Sequence, residues 1–364
     1  MKKLLVLAFS ILTLSGCYSS IKIELHENVS GDPAVLKFDT LTMVTELETN
    51  GSFFYNSLLV HGGWLFATEG SGRIHTFDLN TLDHAGYASV RNSTISSPPV
   101  FLNGKMYYLY SKKLIPGLRL VKYDISLGKE ESDLKLEIAG NGSLFENGRS
   151  LIMVTDRKVS FMDTTGTVSG WIDLPAAVTS RILQSGDLII AGLSDGSIAE
   201  INTNRRDLNC FKTGKNEPVT SFLPIGDNYL VSHFTGGIKL TGRGGYTFWD
   251  VETGRIQAEP VIAGGFVIIG DLKGVLYRIN LKTGELKSKY ETGGLVNLPV
   301  TIVEGKVIIP VNDGYLFLLD STTFKLLQKF ETRGRIKTPV MVSGGRLFTG
   351  CDNGRILVTG LLNY

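Results

Sequence analysis

Residues 260–284 read PVIAGGFVIIGDLKGVLYRINLKTG, and two later stretches are variants of the same sentence: PVTIVEGKVIIPVNDGYLFLLDSTT at 299–323 and PVMVSGGRLFTGCDNGRILVTG at 339–360. Self-similarity at a period of about 40 residues marks one supersecondary unit stacked many times. PVIAGG is a short apolar strand ending at a glycine pair, FVIIGD a second strand, and GVLYRIN a third, rich in the β-branched and aromatic residues that strands favour. Between the second and third lie Asp271 to Gly274, then Asn312, Asp313 and Gly314, then Asp352, Asn353 and Gly354. These residue types tolerate the positive φ that tight hairpin turns need. The more polar ELKSKYETGG follows as a fourth strand suited to an outer edge. Four strands per repeat make a propeller blade.

Anchored on the glycine of the first turn, the count runs back through weaker copies: Gly63, Gly104, Gly148, Gly186, Gly226, Gly265, Gly305 and Gly345. Eight anchors predict an all-β, eight-bladed propeller of four-stranded antiparallel blades. The last repeat stops at LLNY after only three strands, whereas LTMVTELETNG at 41–51 ends like KYETGG at 289–294. The N-terminal strand is therefore expected to complete blade 8, removing the open edge of the sheet.

The first residues bear on compartment. Met1, Lys2 and Lys3 precede an apolar run from Leu4 to Leu14 that is too short to span a bilayer. Leu14, Ser15, Gly16 and Cys17 resemble the lipobox of bacterial lipoproteins, whose cysteine becomes the lipidated first residue of the mature chain. Tyr18 stands where an Asp would retain such a protein at the inner membrane, so the resemblance implies the periplasmic face of an outer membrane. The expected division is a signal peptide at 1–16, a lipidated N-terminus with a flexible tether at 17–40, and the propeller at 41–364. Extended, the tether would span roughly 60–70 Å.

The 37 Lys and Arg, less Lys2 and Lys3, leave 35 against 35 Asp and Glu. A neutral mature chain lacks the clustered basic excess that nucleic-acid binding requires. Cys210 and Cys351 lie four repeats apart, on opposite sides of an eightfold ring and beyond disulfide reach. None of the five histidines, His26, His61, His75, His84 and His233, pairs with another His or Cys at metal-ligand spacing, and His75 reads as an ordinary strand residue. Asp78, Asp124, Asp163, Asp250 and Asp320, with Asn202 and Asn280, recur near the ends of third strands and read as turn caps. The glycine-rich TGRGGY at 241–246 sits in no βαβ context, so no dinucleotide site and no metal or other cofactor is expected.

The pattern G-x-V-x-x-G-D-x-x-G-x-L-Y-x-I-N-x-x-T-G-E at 265–285 resembles the repeat of pyrroloquinoline-quinone (PQQ)-type propellers. That repeat is shared by PQQ-dependent dehydrogenases and by the BamB family of lipoproteins in the outer-membrane β-barrel assembly machine. The dehydrogenases resemble one another in a tryptophan after the TG turn of many blades, a calcium site and commonly an adjacent cysteine pair. Here the TG of Thr283 and Gly284 is followed by ELKSKY, and no two cysteines adjoin. The BamB resemblance implies a non-catalytic, lipid-anchored scaffold that binds envelope proteins, among them the large barrel-assembly subunit. A dehydrogenase-type quinoprotein and a small-ligand-binding propeller remain alternatives. In that family the partner meets loops before the first strands of adjacent middle blades. The corresponding loops are DLPAAVTSR at 173–181, which keeps Arg181, and KTGKNEP at 212–218, which has no Asp pair.

Two departures from the repeat point to further contact residues. Repeat two, YSKKLIPGLRLVKYD, carries an insertion that adds Lys112, Lys113, Ile115 and Pro116, and Lys112, Lys113 and Arg119 are its candidate contacts. Repeat five, HFTGGIKLTGRGGYTFWD, sets Tyr246, Phe248 and Trp249 beside Arg243, and of these Arg243, Tyr246 and Trp249 are candidate interface anchors.

Overall fold

Each Gly anchor occupies a tight turn with positive φ, from Gly63 at 81° to Gly345 at 71°, and joins the first strand of a blade to its second. The computed structural model describes residues 20–25, 38, 40–113, 115–138 and 140–362, so the leader read at 1–16 and Cys17 lie outside the described residues. The blades span 53–89, 93–135, 142–173, 178–212, 219–251, 261–291 and 301–331, and blade 8 combines 341–362 with 40–48. Every blade is antiparallel throughout, and the described residues contain no helix. In blade 2 the innermost strand is broken into Ser93–Ile95 and Val100–Leu102, both paired to Lys105–Lys112.

Closure follows the expected plan. Thr40–Glu48 pairs antiparallel with Arg355–Leu362, from Thr40 opposite Leu362 to Glu48 opposite Arg355. The Gln328 side chain, from the outer strand of blade 7, accepts from the Leu41 N–H at 2.7 Å and donates to the Leu41 carbonyl at 3.0 Å. The closing strand is thereby held to two blades at once.

The turn caps behave as read, with one exception. Asp78, Asp124, Asp163, Asn202, Asn280 and Asp320 each accept backbone N–H groups two or more residues ahead. Asp250 does not: it lies in the outer strand Thr247–Val251 of blade 5. There the position before the turn is Gly242, whose N–H donates to the Tyr246 carbonyl at 3.0 Å. A glycine-rich turn has replaced the Asp cap in this blade, while its anchor Gly226 stays in register.

Among the described residues the buried apolar side chains form eight clusters, one at each junction between neighbouring blades. Leu47, Phe348, Ile356 and Val358 of blade 8 meet Phe53, Leu65 and Phe77 of blade 1, which closes the ring. The core is thus annular, and the second and third strands, buried on both faces, run as the continuous apolar stretches seen in the sequence.

One part of the span read as a tether is built into this core. Ile21 and Ile23 are buried at the junction of blades 1 and 2. The Ile23 N–H donates to the Ile125 carbonyl at 2.9 Å. Burial alternates from Ser20 through Glu24, as it does in a strand. Phe38 is likewise buried, at the junction of blades 7 and 8.

Candidate interaction surfaces and the closed axis

Blades 1 and 4 are not neighbours, yet side chains from their innermost strands touch. Tyr55, in Phe53–His61, lies under the Arg181 guanidinium, in Val178–Ser185. Glu259, in the link between blades 5 and 6, accepts from the Tyr55 hydroxyl at 3.0 Å and pairs with Arg181. Only a contact across the central axis can join these three elements. Burial pushes the Tyr55 phenol well above its usual range, the Glu259 charge adding to the effect. Burial also lowers Arg181 against the opposing pull of Glu259.

This trio divides the axial space. On one side Thr179 and Ser180, with Thr220 and Gln257, line a polar funnel of about 460 Å³. On the other Ile182 and Leu183, with Phe222 and Leu223, line an apolar recess of about 250 Å³. Tyr55 and Arg181 belong to both walls.

Exposed aromatic surface occurs on the outer strands. Tyr246 and Phe248 of blade 5 are 59% and 50% exposed and meet edge to face, their ring centroids 4.8 Å apart. Alternation along Thr247–Val251 turns Phe248 outward and Trp249 inward. On blade 3, Trp171 is 62% exposed, with the Lys158 ammonium 5.2 Å from its ring centre. Trp171 was not among the residues selected from sequence. Its register in VSGWID, which places it on the outward face of the strand, is the signal that could have found it.

The residues selected from sequence do not form one site. Lys112 and Lys113 sit at the tip of the long blade 2 hairpin, Lys113 exposed. Arg119, on the same hairpin, donates to Asp133 Oδ1 at 2.8 Å, and Asp133 also accepts from the Tyr110 hydroxyl at 2.7 Å. Arg181 is on the axis, away from the loop that suggested it. Arg243 donates through Nε to Glu200 at 3.0 Å and through Nη1 to Asp227 at 3.2 Å, tying blade 5 to blade 4. Trp249 is a correction: only 8% exposed, it donates its indole N–H to the Leu281 carbonyl of blade 6 at 2.9 Å. It is a junction residue because its side of the strand faces the next blade. Of the blade 5 group, only Tyr246 presents most of its surface to solvent.

His75 also differs from expectation. Strand pairing brings His84 next to it, with His75 Nδ1 and His84 Nε2 3.0 Å apart, and His75 Nε2 lies 3.3 Å from the buried carboxylate of Glu69. Nine residues separate the two histidines in sequence, and only the register of third and fourth strands juxtaposes them. Glu69 accepts from the Asn50 N–H and the Ser71 hydroxyl. Burial would raise its carboxyl, but the adjacent His75 ring and the Ser71 hydroxyl outweigh it and hold the group at about 2.

No protein-family model matches the chain, and no curated protein matches its sequence. Solved structures do. The crystal structure of BamB from Moraxella catarrhalis superimposes with a TM-score of 0.73 at 15% identity, over 89% of this chain and 99% of that one. The fold is that of BamB. A computationally designed protein, Ika8, matches with a TM-score of 0.65 at 14% identity, over 85% of this chain and 96% of that one. At such identities the likeness is one of architecture.

Proposed function

We propose that this chain is a non-catalytic scaffold of the bacterial envelope. It is anchored by lipid at Cys17 to the periplasmic face of the outer membrane, and it binds proteins engaged in β-barrel assembly. The observation that carries the reading is the solvent-exposed pair formed by Phe248 on the outer strand of blade 5 and Tyr246 just before it. Paired aromatics on a rigid strand lose little conformational entropy on binding and are enriched at protein interfaces. The BamB fold and the lipobox-like LSGC support the same reading. The crossing of the axis by Tyr55, Arg181 and Glu259 weighs against a quinone or other ligand seated on the axis itself, which would have to displace a paired, largely buried charge.

A photo-crosslinking amino acid at Phe248, in cells, should capture a large barrel-assembly subunit, and deletion of the gene should lower outer-membrane barrel levels. Normal barrel levels and adducts lacking that subunit would refute the barrel-assembly role.

A further inference from the structure

The docked segment Ser20–Leu25 bears on how the propeller meets its membrane. Ile21 and Ile23 are buried among Phe66, Ile74, Tyr108 and Tyr123. The backbone is held along its length: the Tyr123 hydroxyl donates to the Ile21 carbonyl at 3.3 Å, and the Trp64 indole donates to that of Glu24 at 2.9 Å. Two glycines make room for its start. A Cβ on Gly86 would stand 2.6 Å from the Ser20 carbonyl oxygen, and one on Gly128 would stand 2.9 Å from Ser20 Oγ. Gly86 is in the outer strand of blade 1, and Gly128 ends the turn before the outer strand of blade 2. Ser20 therefore sits at the outer rim of the ring, on the face carrying the turns between third and fourth strands.

Cys17 precedes Ser20 by three residues, a chain reach of about 10 Å. Resting on the lipidation of Cys17 set out under Proposed function, we propose that the propeller lies edge-on against the phospholipid surface that holds its anchor. The rim of blades 1 and 2 makes the contact. Leu127, 58% exposed and adjacent to Gly128, is the apolar side chain placed to enter the headgroup region. The arrangement leaves blade 5 and its Tyr246–Phe248 pair, half a ring away, facing into the periplasm.

The test uses the full chain purified with its anchor from bacterial envelopes and reconstituted in phosphatidylethanolamine–phosphatidylglycerol vesicles. Mass spectrometry of the N-terminal peptide first establishes whether Cys17 carries a diacylglyceryl group. In a Cys210→Ser background, Leu127→Cys and Tyr246→Cys are labelled with an environment-sensitive nitrobenzoxadiazole dye and quenched by headgroup-proximal spin-labelled lipid. The expected result is quenching several-fold greater at 127 than at 246. Undocking the segment with Ile21→Asp and Ile23→Asp should abolish that difference while the protein still floats with vesicles. Equal quenching at both positions in an anchored protein would overturn the edge-on arrangement and leave the anchor intact. An unmodified Cys17 and no vesicle association would overturn both. Should the Asp variants fail to fold, the contrast between 127 and 246 still decides.

Discussion

Trp249 fills the space in which a Cβ on Gly284 would lie: such an atom would stand 2.6 Å from Cγ of the indole. Gly284 also has a φ of +72°, so two independent reasons exclude a side chain there. Gly284→Ala should destabilise by about 2–4 kcal/mol, left-handed strain and overpacking both contributing. Trp249→Ala should cost about 3–5 kcal/mol through the cavity it leaves between blades 5 and 6. Denaturant midpoints measure both, and a neutral Trp249→Ala would show that this junction is not packed as described.

The axial trio predicts an asymmetric response. Glu259→Ala leaves Arg181 without its partner and should destabilise by about 2 kcal/mol. That is less than the loss on breaking a fully buried pair, because both side chains keep roughly a quarter of their exposure. Tyr55→Phe removes one hydrogen bond and should cost about 1 kcal/mol. Combining the two should cost less than their sum, since both act on one network. Chemical denaturation of the single and double variants checks this.

A chain that begins after Glu48 lacks the fourth strand of blade 8, so Arg355–Leu362 becomes an open edge. Such a chain should elute from size exclusion as oligomers or aggregates, while Gln328→Ala, which removes only the clasp on Leu41, should stay monodisperse and lose about 1 kcal/mol. A monodisperse, cooperatively melting truncated chain would show that closure is dispensable.

Glu69 sets an acid limit. Its carboxyl is held at about 2 in the fold against 4.5 ordinarily, so its contribution is complete above about pH 4.5 and is lost as pH falls toward 2. The shift corresponds to up to about 3 kcal/mol. Glu69→Gln should lower stability at neutral pH and flatten the stability curve between pH 4.5 and 2. Parallel wild-type and variant curves across that window would assign the acid limit to other groups.

Much of this architecture was legible because the repeat is dominated by local chemistry. A glycine turn, an Asp or Asn cap and an apolar run act within a few residues, so the anchor glycines, most of the caps and the closing strand could be placed from sequence. Asp250 was misassigned because blade 5 uses a glycine turn in place of the cap, so the nearest carboxylate in the sequence falls in the outer strand instead. The IKIEL stretch at 21–25 alternates apolar and polar residues, but five residues are too few to distinguish a strand from a tether.

The candidate surfaces were less legible. Arg243, Tyr246, Phe248 and Trp249 form one cluster of letters in sequence, yet in the ring Arg243 is tied to blade 4, Trp249 is buried against blade 6, and the two aromatics between them are the apolar side chains that face solvent.

By itself, the sequence determined the all-β repeat, the eight blades and the closure by an N-terminal strand, because turn and strand preferences are short-range and recur every 40 residues or so. Tertiary structure alone decided that Tyr55 meets Arg181 across the axis, that His75 meets His84, and that Ile21 and Ile23 lie between blades 1 and 2. These contacts depend on ring curvature and on strand register, and neither leaves a periodic mark in the chain.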